Sequence, residues 1–164
     1  MIERLTTWIG KTSSWVSVFL VFIICLDVLL RYCFNNTQSW IIELEWHLFA
    51  LIFLLGGAYA LKADQHVRVD VWYTKRTAKT KAWVNLLGTV LFLIPWCLII
   101  IYTSYNYAEN SWAIGESSPD PGGLPARYII KFAIPVGFSL LFLQALSLIS
   151  TSIREIRKPT IAAS

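Results

Sequence analysis

Asp27 and Arg31 stand four residues apart in an otherwise apolar run from Trp15 to Phe34, a spacing that puts both side chains on one helix face. A charge held at the centre of a membrane span costs about 2.5–3.5 kcal/mol on insertion scales, so such a pair invites a proton- or ion-coupling role. Each residue can instead neutralise the other, and both lie toward the far end of the run, within reach of headgroups. A structural ion pair or a subunit contact is therefore the preferred reading. Glu43, Glu45 and His47 form a second polar group at the head of the next apolar run. Glu43 falls in the first turn of a helix starting there, where the dipole favours an anion. Glu45 is two residues further on and points to a different face, so one helix cannot pair these carboxylates for acid/base work. The trio lacks the convergence of ligands that helical metal sites use. His47 then reads as a polar residue satisfied between helices.

Other chemistries find no set of ligands. His47 and His66 are the only two histidines and are separated by 19 positions, roughly 28 Å along one helix, so they cannot hold one haem between them. Cys25 and Cys97 fall in apolar runs, and neither they nor Cys33 has a CxxC partner. Buried thiols behave as small hydrophobes. No nucleophile–base pair, phosphate loop or metal motif occurs, so neither an enzyme nor a cofactor protein is expected.

The elements that must position these residues are membrane helices. The chain is 56% hydrophobic and 15% charged, with a mean hydropathy of +0.57, against about 45–50% and about 25% in soluble domains. Four apolar runs reach the roughly 20 residues a span needs: about 15–34, 40–61, 82–105 and 128–150. The expected fold is all-α and integral to the membrane, one domain over residues 1–164. Eleven of the fourteen Lys and Arg residues lie on the side of the two termini and the second loop, with only Arg31, Arg127 and Lys131 opposite. That split places both ends in the cytoplasm. It also explains the net charge of +4 without a nucleic-acid partner. Residues 2–14 carry Ile2, Leu5, Trp8 and Ile9 at near-helical spacing, either as a short interfacial helix or as a plain extension of the first span. The interfacial helix is marginally preferred.

The loops carry the remaining signals. His66-Val67-Arg68-Val69-Asp70-Val71-Trp72 alternates polar and apolar residues, which fits a short strand, a short helix or an extended turn on the membrane surface. The basic run from Lys75 to Lys81 suits anionic lipid better than a docking patch. On the outer side, Ser117 to Pro125 holds three prolines and two glycines and predicts a defined tight turn. Pro125 would seat the first turn of the fourth span, and Pro135 would kink it.

Taken together, these motifs resemble one family. Trp40-x-x-Glu43 opens the second span, followed by Leu55-Gly56-Gly57-Ala58-Tyr59-Ala60-Leu61. His66-Val67-Arg68-Val69-Asp70-Val71 comes next, then Gly122-Gly123-Leu124-Pro125 and Ile134-Pro135-Val136-Gly137-Phe138. The chain resembles the small permease subunit of tripartite ATP-independent periplasmic (TRAP) transporters, the DctQ-type family, over nearly its whole length. The resemblance implies a bacterial or archaeal inner-membrane protein. Its partners would be a large permease subunit carrying the substrate and sodium sites, a periplasmic binding protein delivering an organic acid, and membrane lipids. Asp27, Arg31, Trp40, Glu43, Glu45, Gly56, Gly57, His66, Asp70, Gly122, Gly123 and Pro125 are the candidate interface or structural residues. Gly56 and Gly57 would let a partner helix approach closely. The competing expectation is a self-sufficient four-helix transporter acting as a homodimer, with Asp27 as its embedded carboxylate.

Overall fold

Backbone amides inside hydrocarbon must be satisfied within the chain, and a helix does this along its whole length. The four apolar runs form four such helices in the computed structural model, which describes residues 2–63 and 76–157. Helix α1 spans Ile2–Phe34, α2 Ser39–Lys62, α3 Ala78–Ala113 and α4 Tyr128–Arg157, each long and apolar enough to cross a membrane. His66, Asp70 and the His-Val-Arg-Val-Asp segment lie outside the described residues. Helices α1 and α2 form a hairpin, and α4 packs against all three of the others.

Residues 2–14 are the first part of α1 and not a separate helix in the headgroup plane. Tertiary contacts hold them along the bundle. Gly10 lies against the Tyr59 ring, where a Cβ would sit 2.5 Å from the ring carbon Cγ. The Thr6 hydroxyl donates to Gln144 Oε1 at 3.1 Å, and Lys62 Nζ donates to the Glu3 carbonyl at 2.7 Å and to Thr7 Oγ1 at 2.5 Å. At the other end of α1, Asn35 takes the left-handed conformation (φ 49°) and the Asn36 amide reaches back to the Leu30 carbonyl at 3.1 Å. Asparagine tolerates that conformation better than most residues, which lets the chain reverse into α2.

Helix α3 runs beyond the apolar stretch at both ends. Thr77 caps its start by accepting from the Thr80 amide at 3.3 Å. A π-helical turn over Thr89–Leu93 ends two residues before Pro95, and the Ile94 amide bonds back five residues to Thr89. Proline lacks an N–H and crowds the carbonyl one turn before it, so a widened turn at this point accommodates it. Pro135 is buried within α4, which continues through it, and Ser139 donates its hydroxyl to the Pro135 carbonyl at 2.6 Å.

The bundle is lined with small and polar residues. Thr6, Gly10 and Ser13 of α1 are buried, as are Cys97, Ser104, Ala108 and Ser111 of α3. Large side chains such as Phe22, Tyr32, Phe92 and Tyr102 face outward. This arrangement suits lipid, where apolar side chains gain nothing by turning inward and close backbone approach supplies the packing.

Candidate functional site

The candidate charged residues Asp27, Arg31, Glu43 and Glu45 gather at the end of the bundle that carries the 35–38 turn and the 114–127 loop. Glu43, buried in the first turns of α2, reaches across to that loop. Its carboxylate accepts from the Leu124 backbone amide at 2.6 Å and from the Ser118 hydroxyl. The loop is built to present those donors. Pro121 and Gly122 (φ 73°) form the corner of a turn closed by the Gly123 amide on the Asp120 carbonyl at 3.0 Å. Proline then glycine with positive φ is the pattern such a turn requires. Further bonds run from the Ser118 amide to the Leu124 carbonyl at 3.2 Å and from the Arg127 amide to the Glu116 carbonyl at 2.9 Å. At Gly123 a Cβ would lie 2.9 Å from Glu43 Oε2 and 2.5 Å from Ser118 Cβ, so the cradle admits only glycine.

Glu43, Gly122 and Gly123, remote in sequence, are thus brought together. Pro125 belongs to the same loop but does not seat the helix. Ala126 has a left-handed backbone (φ 62°), and α4 starts at Tyr128 only after that residue.

Beside the cradle is a second clasp. Lys131 of α4 forms an ion pair with Glu116, and the Ser111 hydroxyl donates to the same Glu116 oxygen at 2.7 Å. These two hydrogen bonds, that from Lys131 first, hold the Glu116 carboxyl below its ordinary value of 4.5. A carboxyl whose folded-state pKa is depressed contributes stability above its unfolded pKa and loses it as pH falls through the folded value. Thermal unfolding of the purified chain should therefore be insensitive to this group from neutral pH down to about 4.5 and should weaken in stronger acid. Glu116→Gln should flatten part of that acid limb. A melting series across pH for both proteins checks it, and identical acid limbs would contradict the clasp.

Two cations complete the rim. The Arg127 guanidinium lies 5.6 Å from the Trp46 ring centroid, and Lys131 Nζ lies 4.0 Å from that of Tyr107. Both are at cation–π distance.

Glu45 points away from Glu43, toward α1. The charges that act on it are those of Asp27 and Arg31. Asp27 Oδ2 takes the Arg31 guanidinium at 2.5 Å, one turn along α1. Asp27 Oδ1 and Glu45 Oε1 are buried with no hydrogen-bond partner among the described residues. His47 bonds through Nδ1 to the Glu43 carbonyl of its own helix at 2.5 Å, rather than to another helix, and stacks on Trp46. Trp40 is 40% exposed at the start of α2. Gly56 and Gly57 line an apolar groove between α2 and α4, where a Cβ on either would meet nothing within 4 Å.

Ser118, Glu116, Arg127, Lys131 and Gly137 were not singled out from the sequence as site residues. Gly137 could have been, because a glycine next to Pro135 in an apolar helix marks close backbone approach. The others are ordinary loop and flank residues until the tertiary contacts form.

The family model described as "Tripartite ATP-independent periplasmic transporters, DctQ component" matches residues 20–155. The chain is 26% identical over 141 residues to the C4-dicarboxylate TRAP transporter small permease protein DctQ of Vibrio cholerae, covering 72% of this chain and 60% of that one. It is 25% identical over 135 residues to the sialic acid TRAP transporter permease protein SiaT of Haemophilus influenzae, covering 82% of this chain and 21% of that one. The chain thus spans less than two thirds of either relative's length. With a match over most of its length and four helices able to cross a membrane, it belongs to the DctQ family of TRAP transporter components, as a multi-pass inner-membrane protein.

Proposed function

We propose that this chain is the small membrane subunit of a TRAP-type secondary transporter. It pairs with a large permease subunit and supports sodium-coupled uptake of an organic acid delivered by a periplasmic binding protein. The observation that carries the reading is the match to the sialic acid permease, in which the stretch resembling this chain is 21% of a much longer polypeptide. A domain of this kind joined to a larger permease is a natural counterpart of two subunits that act together. Both relatives are named for carboxylated solutes, which supports the substrate class. The charge split between the two ends supports cytoplasmic termini and an outward-facing 114–127 loop.

The chain's own polar groups suit a scaffold. Glu43 and Glu116 are spent on holding the outer loop, and Asp27 is 4% exposed and bound by Arg31. None of this favours Asp27 as the coupling carboxylate of a homodimeric transporter. Asp27, Arg31 and Glu45 sum to one negative charge, and the two carboxylates keep one unpartnered buried oxygen each. An unsatisfied buried acceptor is costly, so this corner of the α1–α2 hairpin is where a donor from the large subunit docks. Tagged chain extracted from native membranes should bring down a larger polytopic protein. The double substitution Asp27→Asn with Glu45→Gln should reduce that recovery severalfold. Recovery of the chain alone, or as a dimer only, would refute the assignment.

A further inference from the structure

The rim cations and the glycine groove are parts of one feature. A cavity of about 290 Å³ opens beside Trp46, Tyr107, Glu116, Arg127 and Lys131. An almost wholly apolar cavity of about 420 Å³ lies further along the same α2–α4 seam, over Gly56, Gly57, Gly137 and Phe138. Leu54 lines both. We propose that this seam binds one glycerophospholipid from the leaflet on the side of the 114–127 loop. Arg127 and Lys131 hold its phosphodiester, and one acyl chain lies along Gly56 and Gly57.

Three observations carry the assignment. The first is charge. Among the residues lining the polar cavity, Arg127 and Lys131 against Glu116 sum to one positive charge, which matches a phosphodiester. Glu43, outside the lining, also acts on Arg127 but is held by the Leu124 amide and the Ser118 hydroxyl. Lys131 is engaged by Glu116, but the Arg127 guanidinium rests on the Trp46 face and makes no hydrogen bond or ion pair among the described residues. A guanidinium with free donors is suited to bidentate phosphate binding. The second is depth. Trp46 and Gly57 are eleven residues apart on α2, about 16 Å along the axis, and one leaflet of hydrocarbon is about 15 Å thick, half of the roughly 30 Å core. The polar cavity lies toward the 114–127 loop end of α2, with indole and phenol rings of the kind that collect at membrane interfaces, and the groove follows it by about one leaflet's depth along the helix.

The third is width. Gly137 is filled by its neighbour, since a Cβ there would lie 2.9 Å from both Cβ and the carbonyl oxygen of Leu54. The helices touch at that point, while Gly56 and Gly57 stay open beside it. Phe53, Phe138 and Leu141 flank the open space over the two glycines and narrow it to a crevice. An acyl chain is slender enough. The partner-helix role expected for Gly56 and Gly57 gives way to this occupant. The proposal needs the chain to lie in a membrane but does not depend on the identity of its protein partner.

The test uses full-length protein in detergent, examined by native mass spectrometry and then delipidated. The delipidated protein is titrated with phosphatidylglycerol, with diacylglycerol, which lacks the phosphate, and with glycerol 3-phosphate, which lacks the chains. Wild type should retain one phospholipid and rebind phosphatidylglycerol on the order of tenfold more tightly than either fragment. Arg127→Gln should lose on the order of tenfold in phospholipid affinity while leaving diacylglycerol binding unchanged. Gly57→Leu should block the chain seat and leave the melting temperature of delipidated protein unaltered. Equal binding by glycerol 3-phosphate would overturn the proposal by reducing the site to a simple anion pocket. Undiminished phospholipid binding in both variants would overturn it as well. So would efficient cross-linking of Gly57→Cys to a helix of another protein, which would make the groove a helix seat.

Discussion

Glu43→Ala should release the 114–127 loop from the bundle. The carboxylate is the acceptor for the Leu124 amide and the Ser118 hydroxyl, and the Arg127 charge acts on it as well. Alanine leaves both donors facing a gap that their own loop cannot fill, because the remaining loop bonds close it only upon itself. Amide exchange at Leu124 should become faster by on the order of tenfold, with much smaller changes in the spans. Glu43→Gln keeps the shape and one acceptor oxygen but turns an amide NH2 toward a donor, so its effect should be intermediate. Gly123→Ala attacks the cradle from the other side and should resemble Glu43→Ala, since its Cβ would press on the Glu43 carboxylate. An unchanged Leu124 exchange rate in Glu43→Ala would mean that the loop holds its shape without the clamp.

Gly137→Val should be the most damaging substitution within the spans. The added Cβ meets the Leu54 carbonyl oxygen at 2.9 Å and its carbonyl carbon at 3.1 Å, and backbone cannot rotate away. Relief requires α4 to move off α2 along the seam that joins the two halves of the bundle. Overpacking of this kind costs about 1–3 kcal/mol. In a chain of this length, that corresponds to a fall of several degrees in the melting temperature in detergent. Gly56→Ala is the internal control, because open space surrounds its Cβ and its melting temperature should stay close to wild type. Equal losses at the two positions would show that general helix chemistry, and not the Leu54 contact, sets the effect.

The four spans were legible because each is a long apolar run, yet α1 and α3 extend well past those runs. The α1 extension carries a buried seam that hydropathy misses, and another runs from the end of the apolar run of α3 into its extension. Thr6, Gly10 and Ser13 on α1 recur at three- and four-residue intervals, as do Ser104, Ala108 and Ser111 on α3. Small and hydroxyl residues at that spacing mark a helix face in contact with another helix, which an apolar count scores as polar and exposed. The Asp27–Arg31 pair was readable because it is local, one turn apart on a single helix. Glu43 was readable as an anion at a helix start, but its partners lie 75 and 81 residues away. The Arg127–Trp46 contact spans 81 residues in the same way, and the Glu116–Lys131 clasp, though only 15 residues apart, forms only once the loop folds back onto α4. Their residue types are common on any membrane flank, and only the docking of the loop onto α2 and α4 gives them a shared purpose.

A scaffold role makes the chain indispensable without giving it the transported solute to hold. The most direct test is sodium-driven uptake into liposomes carrying the larger permease proposed as this chain's partner, supplied with the proposed periplasmic binding protein loaded with its solute. Uptake is measured with and without the chain. The account predicts gradient-dependent uptake only when both membrane proteins are present. Full uptake by the larger permease alone would contradict it.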